Sequence, residues 1–231
     1  SSLLASVRPG LAPECERGGM VTDLVCGNVD ADPQLELIVV VGWMSVTIFK
    51  LINNKLQNVT TQFGLDKTNG LWFRLAPADL DGDGDLDLVT GNLGRNTRFT
   101  ASAEAPFRCF AKDFDNNGTI DPITAYYEVG KLYPLVQKEV LNKQMPILKK
   151  KLLYAKDYGY ATMDMVWPQK DLDAALNLYC YDLETCWWEN QGGKFVRHAL
   201  PIQAQVAPVQ GIVCDDFNGD GNMDILMAGN K

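Results

Sequence analysis

An all-β fold built from repeated blades is predicted by three observations. A nine-residue acidic loop recurs four times along the chain, an apolar run follows each copy, and hairpin turn signals punctuate the stretches between them. The loops are NVDADPQLE (28–36), DLDGDGDLD (79–87), DFDNNGTID (113–121) and DFNGDGNMD (216–224). Several short antiparallel strands around each loop are the pattern of a β-propeller. The expectation is a partial propeller of about four blades over 1–231, with a small helical insertion over 135–180.

Each element follows from local chemistry. Apolar runs at 20–26 and 37–41 bracket the first loop, and a further run at 46–51 ends at Asn53-Asn54, a pair suited to a tight hairpin turn. Runs at 72–76 and 88–89 bracket the second loop. The run at 107–111 leads into the third, and 123–128, which turns at Val129-Gly130, leads out. Residues 187–195 contain Asn190-Gln-Gly-Gly193 and form another hairpin, while 211–214 and 225–227 bracket the fourth loop. Residues 135–153 are rich in Lys, Leu and Gln, and 169–179 carry Leu172, Ala175, Leu176 and Tyr179 at helical spacing. Pro134, Pro146 and Pro168 mark starts or breaks of those helices. Loop starts lie 51, 34 and 103 residues apart. Only the first interval fits the roughly 40 to 50 residues of one blade.

Composition narrows the function. With 231 residues, 46% of them hydrophobic, the chain can bury a sizeable core. Its 29 acidic against 21 basic residues give a net charge of -8, which excludes nucleic acid as the expected partner and favours cations. The most apolar stretch, 37–49, is interrupted by Gly42, Ser45 and Thr47 and falls well short of the roughly 20 residues that cross a bilayer, so no membrane span is expected. It is expected to form two buried strands around a bend. Nothing from Ser1 onward has the form of a secretory leader, which a mature chain loses by cleavage. The six cysteines are too scattered for a zinc site; disulfides would suit an oxidising compartment, with the pairing unreadable.

The loops themselves point to a metal. In the second, Asp79, Asp81, Asp83 and Asp87 stand at positions 1, 3, 5 and 9, so a curled backbone aims four carboxylates at one centre. Such like charges repel unless a divalent cation neutralises them. A set of hard oxygen donors, completed by the Asp85 carbonyl at position 7, favours Ca²⁺ over the smaller octahedron of Mg²⁺. The third loop offers Asp113, Asp115, Asn117 and Asp121 with the Thr119 carbonyl. The fourth offers Asp216, Asn218, Asp220 and Asp224 with the Asn222 carbonyl. Gly84, Gly118 and Gly221 share position 6, where the curl requires a left-handed backbone. The first loop offers Asn28, Asp30, Asp32 and Glu36, but Pro33 stands in place of the glycine, so this site is expected to be weak, remodelled or empty. An EF-hand would need a glutamate at position 12 and flanking helices; the chain has Val39, Thr90, Thr124 and Met227 there, between strands. A solvated acidic turn remains the plain alternative for any single loop.

These residues resemble the FG-GAP/VCBS repeat family, the calcium-loop propeller repeats also found in integrin α subunits. The most specific stretch is 79–87 followed by Leu88-Val-Thr-Gly-Asn92. The runs 111–122 and 215–224 look like exported bacterial members associated with ASPIC/UnbV segments, as in cartilage-acidic-protein-like proteins. The resemblance implies a β-propeller, Ca²⁺ in the loops, secretion or surface display (bacterial periplasm or outer-membrane exterior), and binding or adhesion to a protein or glycan rather than catalysis. The chain departs from the family in its first loop, in its many cysteines and in showing four repeats where about seven blades are common. A structural subunit of a surface assembly and an accessory propeller of a polysaccharide-acting enzyme are the alternatives. His198 lacks the sequence neighbours of a catalytic triad and is expected to be a half-exposed strand residue. Trp187-Trp188 with Tyr179 and Tyr181 is a candidate carbohydrate platform, although adjacent strand residues face opposite sides and one Trp should be core.

Overall fold

The computed structural model describes residues 21–30, 32–151 and 154–230, Ala155 by its backbone alone. Cys15, the stretch from Ser1 to Met20, and Leu153 at the end of the first predicted helical segment lie outside the described residues. The chain is mostly β: among the described residues the strands pair antiparallel into four sheets, and the chain divides into two compact units, Ser1–Thr97 with Asp182–Lys231, and Arg98–Tyr181.

In the first unit, β1 (Val21–Gly27), β2 (Glu36–Val41), β3 (Thr47–Ile52) and β4 (Lys55–Asn58) form a sheet in that order, with the first acidic loop joining β1 to β2. β2 is buried on both faces, and its alternation is readable in the packing. Ile38 and Val40 meet Trp72, Leu88 and Trp188 on one side, while Val39 and Val41 meet Phe49 on the other. The β3–β4 turn holds Asn53 and Asn54 at φ 51° and 58°, the pair of left-handed residues that a two-residue hairpin requires. β5 (Arg74–Ala78) and β6 (Asp87–Gly91) follow, joined by the second loop. Trp72, expected inside that strand, precedes it; its ring is fully buried, and its indole N–H donates to the carbonyls of Met44 and Thr68.

The chain then builds the second unit. β7 (Phe107–Lys112), β8 (Asp121–Glu128) and β9 (Lys131–Pro134) carry the third loop between β7 and β8. Four short helices come next: α1 (Lys138–Gln144), α2 (Ala155–Gly159), α3 (Met163–Val166) and α4 (Gln169–Asp173). A 3-10 turn, Pro146–Lys150, separates α1 from α2. Leu141, Met145, Leu148, Met163 and Leu172 cover Phe110 and Ile123 of the sheet. The expected helix over 169–179 is corrected here: it stops at Asp173, and β10 (Leu176–Cys180) pairs antiparallel with β7. Pairing with the open edge of β7 satisfies the backbone better than another helical turn would, and the Asn177 amide caps the turn by donating to the carbonyls of Leu172 and Ala175. Leu176, placed on the helical stripe by its spacing, is 62% exposed.

The chain re-enters the first unit as β11 (Cys186–Asn190) and β12 (Phe195–Ala199), and β11 pairs with β6 to give the order β5-β6-β11-β12. The second unit is therefore inserted between the second and third strands of the second sheet. Removing its 84 residues from the 137 between the starts of the second and fourth loops leaves 53, close to the 51 between the first and second. This explains the irregular spacing, since the third loop belongs to the insertion. The insertion is thus more than helical, carrying a four-stranded sheet of its own. β13 (Val209–Asp215) and β14 (Asp224–Gly229) flank the fourth loop. The leading strands β1, β5 and β13 are joined through one side chain: Arg74 donates to Gln210 O at 2.6 Å and to Thr22 O at 3.4 Å.

Candidate metal centres

All four loops close by the same backbone device. The carboxylate at position 9 opens the second strand and accepts the N–H of position 2: Asp87 from Leu80 at 3.0 Å, Asp121 from Phe114 at 3.2 Å, Asp224 from Phe217 at 3.2 Å, and Glu36 from Val29 at 3.1 Å. At position 1, one oxygen of Asp79, Asp113 and Asp216 accepts the N–H of the position-6 glycine, at 3.0, 2.8 and 2.8 Å. Those glycines take φ of 93°, 88° and 88°, the conformation the curl demands. The residues expected to present carbonyls, Asp85, Thr119 and Asn222, each donate their N–H to position 5, to Asp83, Asn117 and Asp220, all at 2.8 Å.

This curl gathers carboxylates. Asp79, Asp81 and Asp87 offer oxygens within 4.8 Å of one another, as do Asp113, Asp115 and Asp121, and Asp30, Asp32 and Glu36, so each group can hold a metal ion. Asp83 lies outside its loop's group, and in the fourth loop Asp216, Asp220 and Asp224 are not gathered in this way because position 3 is the amide Asn218. Burial, and then the charges of Asp81 and Asp83, push the Asp87 carboxyl above its ordinary range. Backbone N–H groups, that of Gly221 foremost, hold Asp216 below it. The donors are oxygens alone, with a buried, mutually repelling carboxylate among them in the second loop. That set fits a hard divalent cation, which would supply the missing neutralising charge.

The first loop differs. Pro33 has no N–H to give position 1, and Asn28 instead donates its amide to Asp32 O at 2.6 Å. Lys50, from β3, places its ammonium nitrogen 2.6 Å from Asp30 Oδ2, 2.6 Å from Asp32 Oδ2 and 3.4 Å from Glu36 Oε1. Its hydrogen bonds to Asp30 and Asp32 hold Lys50 well above the usual lysine range, and the same ammonium holds Asp32 below its own.

Three partners of the loops were missed in the sequence. Asn190, at the end of β11, donates its backbone N–H to Asp87 Oδ1 at 2.7 Å and its side-chain amide to Val29 O in the first loop. Gln144 donates to Asp121 Oδ1 at 3.0 Å. Lys50 was accessible in principle, because pairing Leu37 with Phe49 sets it beside Glu36; the other two depend on contacts between distant segments.

The remaining candidates resolve into packing. Trp188 is buried edge-on to Trp72, and Trp187 stacks on His198 at 4.7 Å. His198 sits half-exposed on β12, its Nε2 2.7 Å from Glu189 across the hairpin. Tyr179 and Tyr181 stack on each other in the other unit, where the Arg108 guanidinium lies 4.9 Å from the Tyr179 ring. Trp188 is the core residue of the adjacent pair and has no exposed face to offer such a platform. Among the described residues, Cys26, Cys109, Cys186 and Cys214 form no disulfide, and burial pushes the Cys186 thiol up to about 12.

Residues 28–90 match the family model described as FG-GAP-like repeat, a span holding the first two loops and β2, β3, β4, β5 and most of β6. No curated protein matches the chain.

Proposed function

We propose that this chain is a non-enzymatic, calcium-held repeat protein of the propeller type, secreted or displayed at a cell surface, that binds a protein or glycan ligand. The observation that carries the reading is the shared closure of the second, third and fourth loops. Position 1 clamps the N–H of a left-handed glycine while position 9 clamps that of position 2, in the second and third loops leaving three carboxylates facing one point. Ca²⁺ is favoured because it accepts six to eight oxygens in flexible geometry, so side chains, carbonyls and water can complete its shell. Support for blades comes from the 51- and 53-residue spacing within the first unit and from Arg74 tying β1, β5 and β13 together. Secretion and kinship with exported ASPIC/UnbV-associated proteins rest on the resemblance of 111–122 and 215–224. In this account the ion joins the two strands of each loop, so its binding energy becomes folding energy and stiffens the rim that carries the loops.

Calorimetric titration with calcium tests the reading. The protein takes up calcium, and Asp81→Asn removes one binding event. An isotherm without heat from the wild type, or one that Asp81→Asn leaves unchanged, contradicts it. A second reading, as a subunit of a surface assembly, is favoured by Leu24, Val213 and Leu226, which are 54 to 60% exposed on β1, β13 and β14. Concentration-dependent association that Leu226→Lys abolishes would favour it.

A further inference from the structure

The first loop keeps the acidic positions of a cation site but holds a cation of its own. Asp30, Asp32 and Glu36 turn three oxygens toward one point, and Lys50 Nζ stands among them at 2.6, 2.6 and 3.4 Å. Glu36 supplies an independent sign that a cation belongs there. Its side chain is fully buried; Oε2 is satisfied by the N–H of Val29, but Oε1 has no hydrogen-bond donor and faces the ammonium at 3.4 Å. A buried carboxylate oxygen left without a donor is costly unless positive charge lies beside it.

The position of Lys50 is fixed by strand register. β2 pairs Leu37 with Phe49, so the next residues outward, Glu36 and Lys50, lie side by side at the mouth of the loop. In the second sheet β6 pairs Leu88 with Trp188, and the residue at the matching place is Glu189, a carboxylate. The change from glycine to Pro33 agrees with this difference. Without a position-6 N–H the first residue loses that clamp, and Asn28 instead donates its amide to the Asp32 carbonyl at 2.6 Å and accepts the Asp30 N–H at 3.2 Å. We propose that Lys50 is the resident cation of the first loop, taking the place that a divalent ion takes in the others. The β1–β2 loop is then closed at any calcium level, while the remaining loops respond to calcium. Tethering the charge on a strand avoids the entropic cost of capturing a free ion, and the Lys50 side chain is only 16% exposed.

The inference rests on reading the acidic loops as cation sites, and ion counting by native mass spectrometry in calcium separates the two. Asp32→Asn leaves the number of ions bound by the otherwise wild-type chain unchanged. Lys50→Met raises it by one, and adding Asp32→Asn to Lys50→Met removes that extra ion. If Lys50→Met fails to fold in EDTA, millimolar calcium restores it; failure to be restored overturns the proposal. A loss of one ion on Asp32→Asn alone, or an unchanged count on Lys50→Met, overturns it as well. A wild-type chain that binds no calcium would defeat the proposed function, yet the Lys50→Met count would still decide the role of Lys50.

Discussion

Asn190 is 2% exposed, and both ends of its amide are engaged. Nδ2 donates to Val29 O and Leu86 O, and Oδ1 accepts the N–H of Gly193. Asn190→Ala leaves two carbonyls and one N–H unpaired between the first and second loops. A loss of about 1–3 kcal/mol is expected in urea unfolding; an unchanged midpoint would show that water takes over these bonds. Asp87 makes a pH prediction. Burial and its acidic neighbours raise its carboxyl above the ordinary 3.8. A group raised on folding contributes stability that is complete below the unfolded value and lost as pH rises through the folded one. The contribution of Asp87 to the stability of the metal-free protein therefore grows as pH falls toward 3.8, while protons compete with calcium for the same oxygen, so the melting gap between calcium and EDTA narrows on that acidification. A gap that stays constant as pH falls contradicts the assignment of Asp87 to the site. The acidic neighbours of Asp87 were legible in the sequence, but Asn190 was visible only as part of a turn, since its bonds to Val29 and Asp87 span 161 and 103 positions.

The elements were legible where their cause is local. The acidic loops are defined by spacing within nine residues, and the strands beside them by short apolar runs, so β2, β3, β7 and β14 fall close to where the sequence puts them. Leu176–Cys180 was misread because Leu172, Ala175 and Leu176 fit a helical stripe, whereas the free edge of β7, more than sixty residues away, decides the outcome. Gly94 illustrates a similar blind spot between elements. It takes φ 84°, and a Cβ there would lie 2.5 Å from the backbone oxygen of Gln205. Gly94→Ala combines left-handed strain with a clash against backbone, while Gly84→Ala, at φ 93° with open space around it, carries the strain alone. In EDTA, Gly94→Ala is expected to lose about 2–4 kcal/mol and Gly84→Ala about 1–2 kcal/mol. Equal losses would show that the Gln205 segment yields.

At the scale of the whole chain, the least legible fact is that one sheet is interrupted by another unit. β6 and β11 are neighbours, yet residues 98–181 lie between them in sequence. The junction is tight within the first unit, since Gly94 N–H donates to Leu183 O at 2.7 Å where the chain leaves and returns. Replacing 98–181 with a short Gly/Ser linker is therefore expected to leave a cooperatively melting first unit that still responds to calcium through the second and fourth loops. A non-cooperative melt would show that the first unit depends on the insertion. The central claim, that cations hold the acidic loops and thereby the fold, is tested most directly by thermal melting of the intact chain in excess EDTA, then in millimolar Ca²⁺ and in millimolar Mg²⁺. The account predicts a rise of several degrees with Ca²⁺ and little with Mg²⁺, since ion held at about 100 times its dissociation constant adds roughly 2.7 kcal/mol per site. Identical melting in all three would contradict it and reduce the loops to acidic turns.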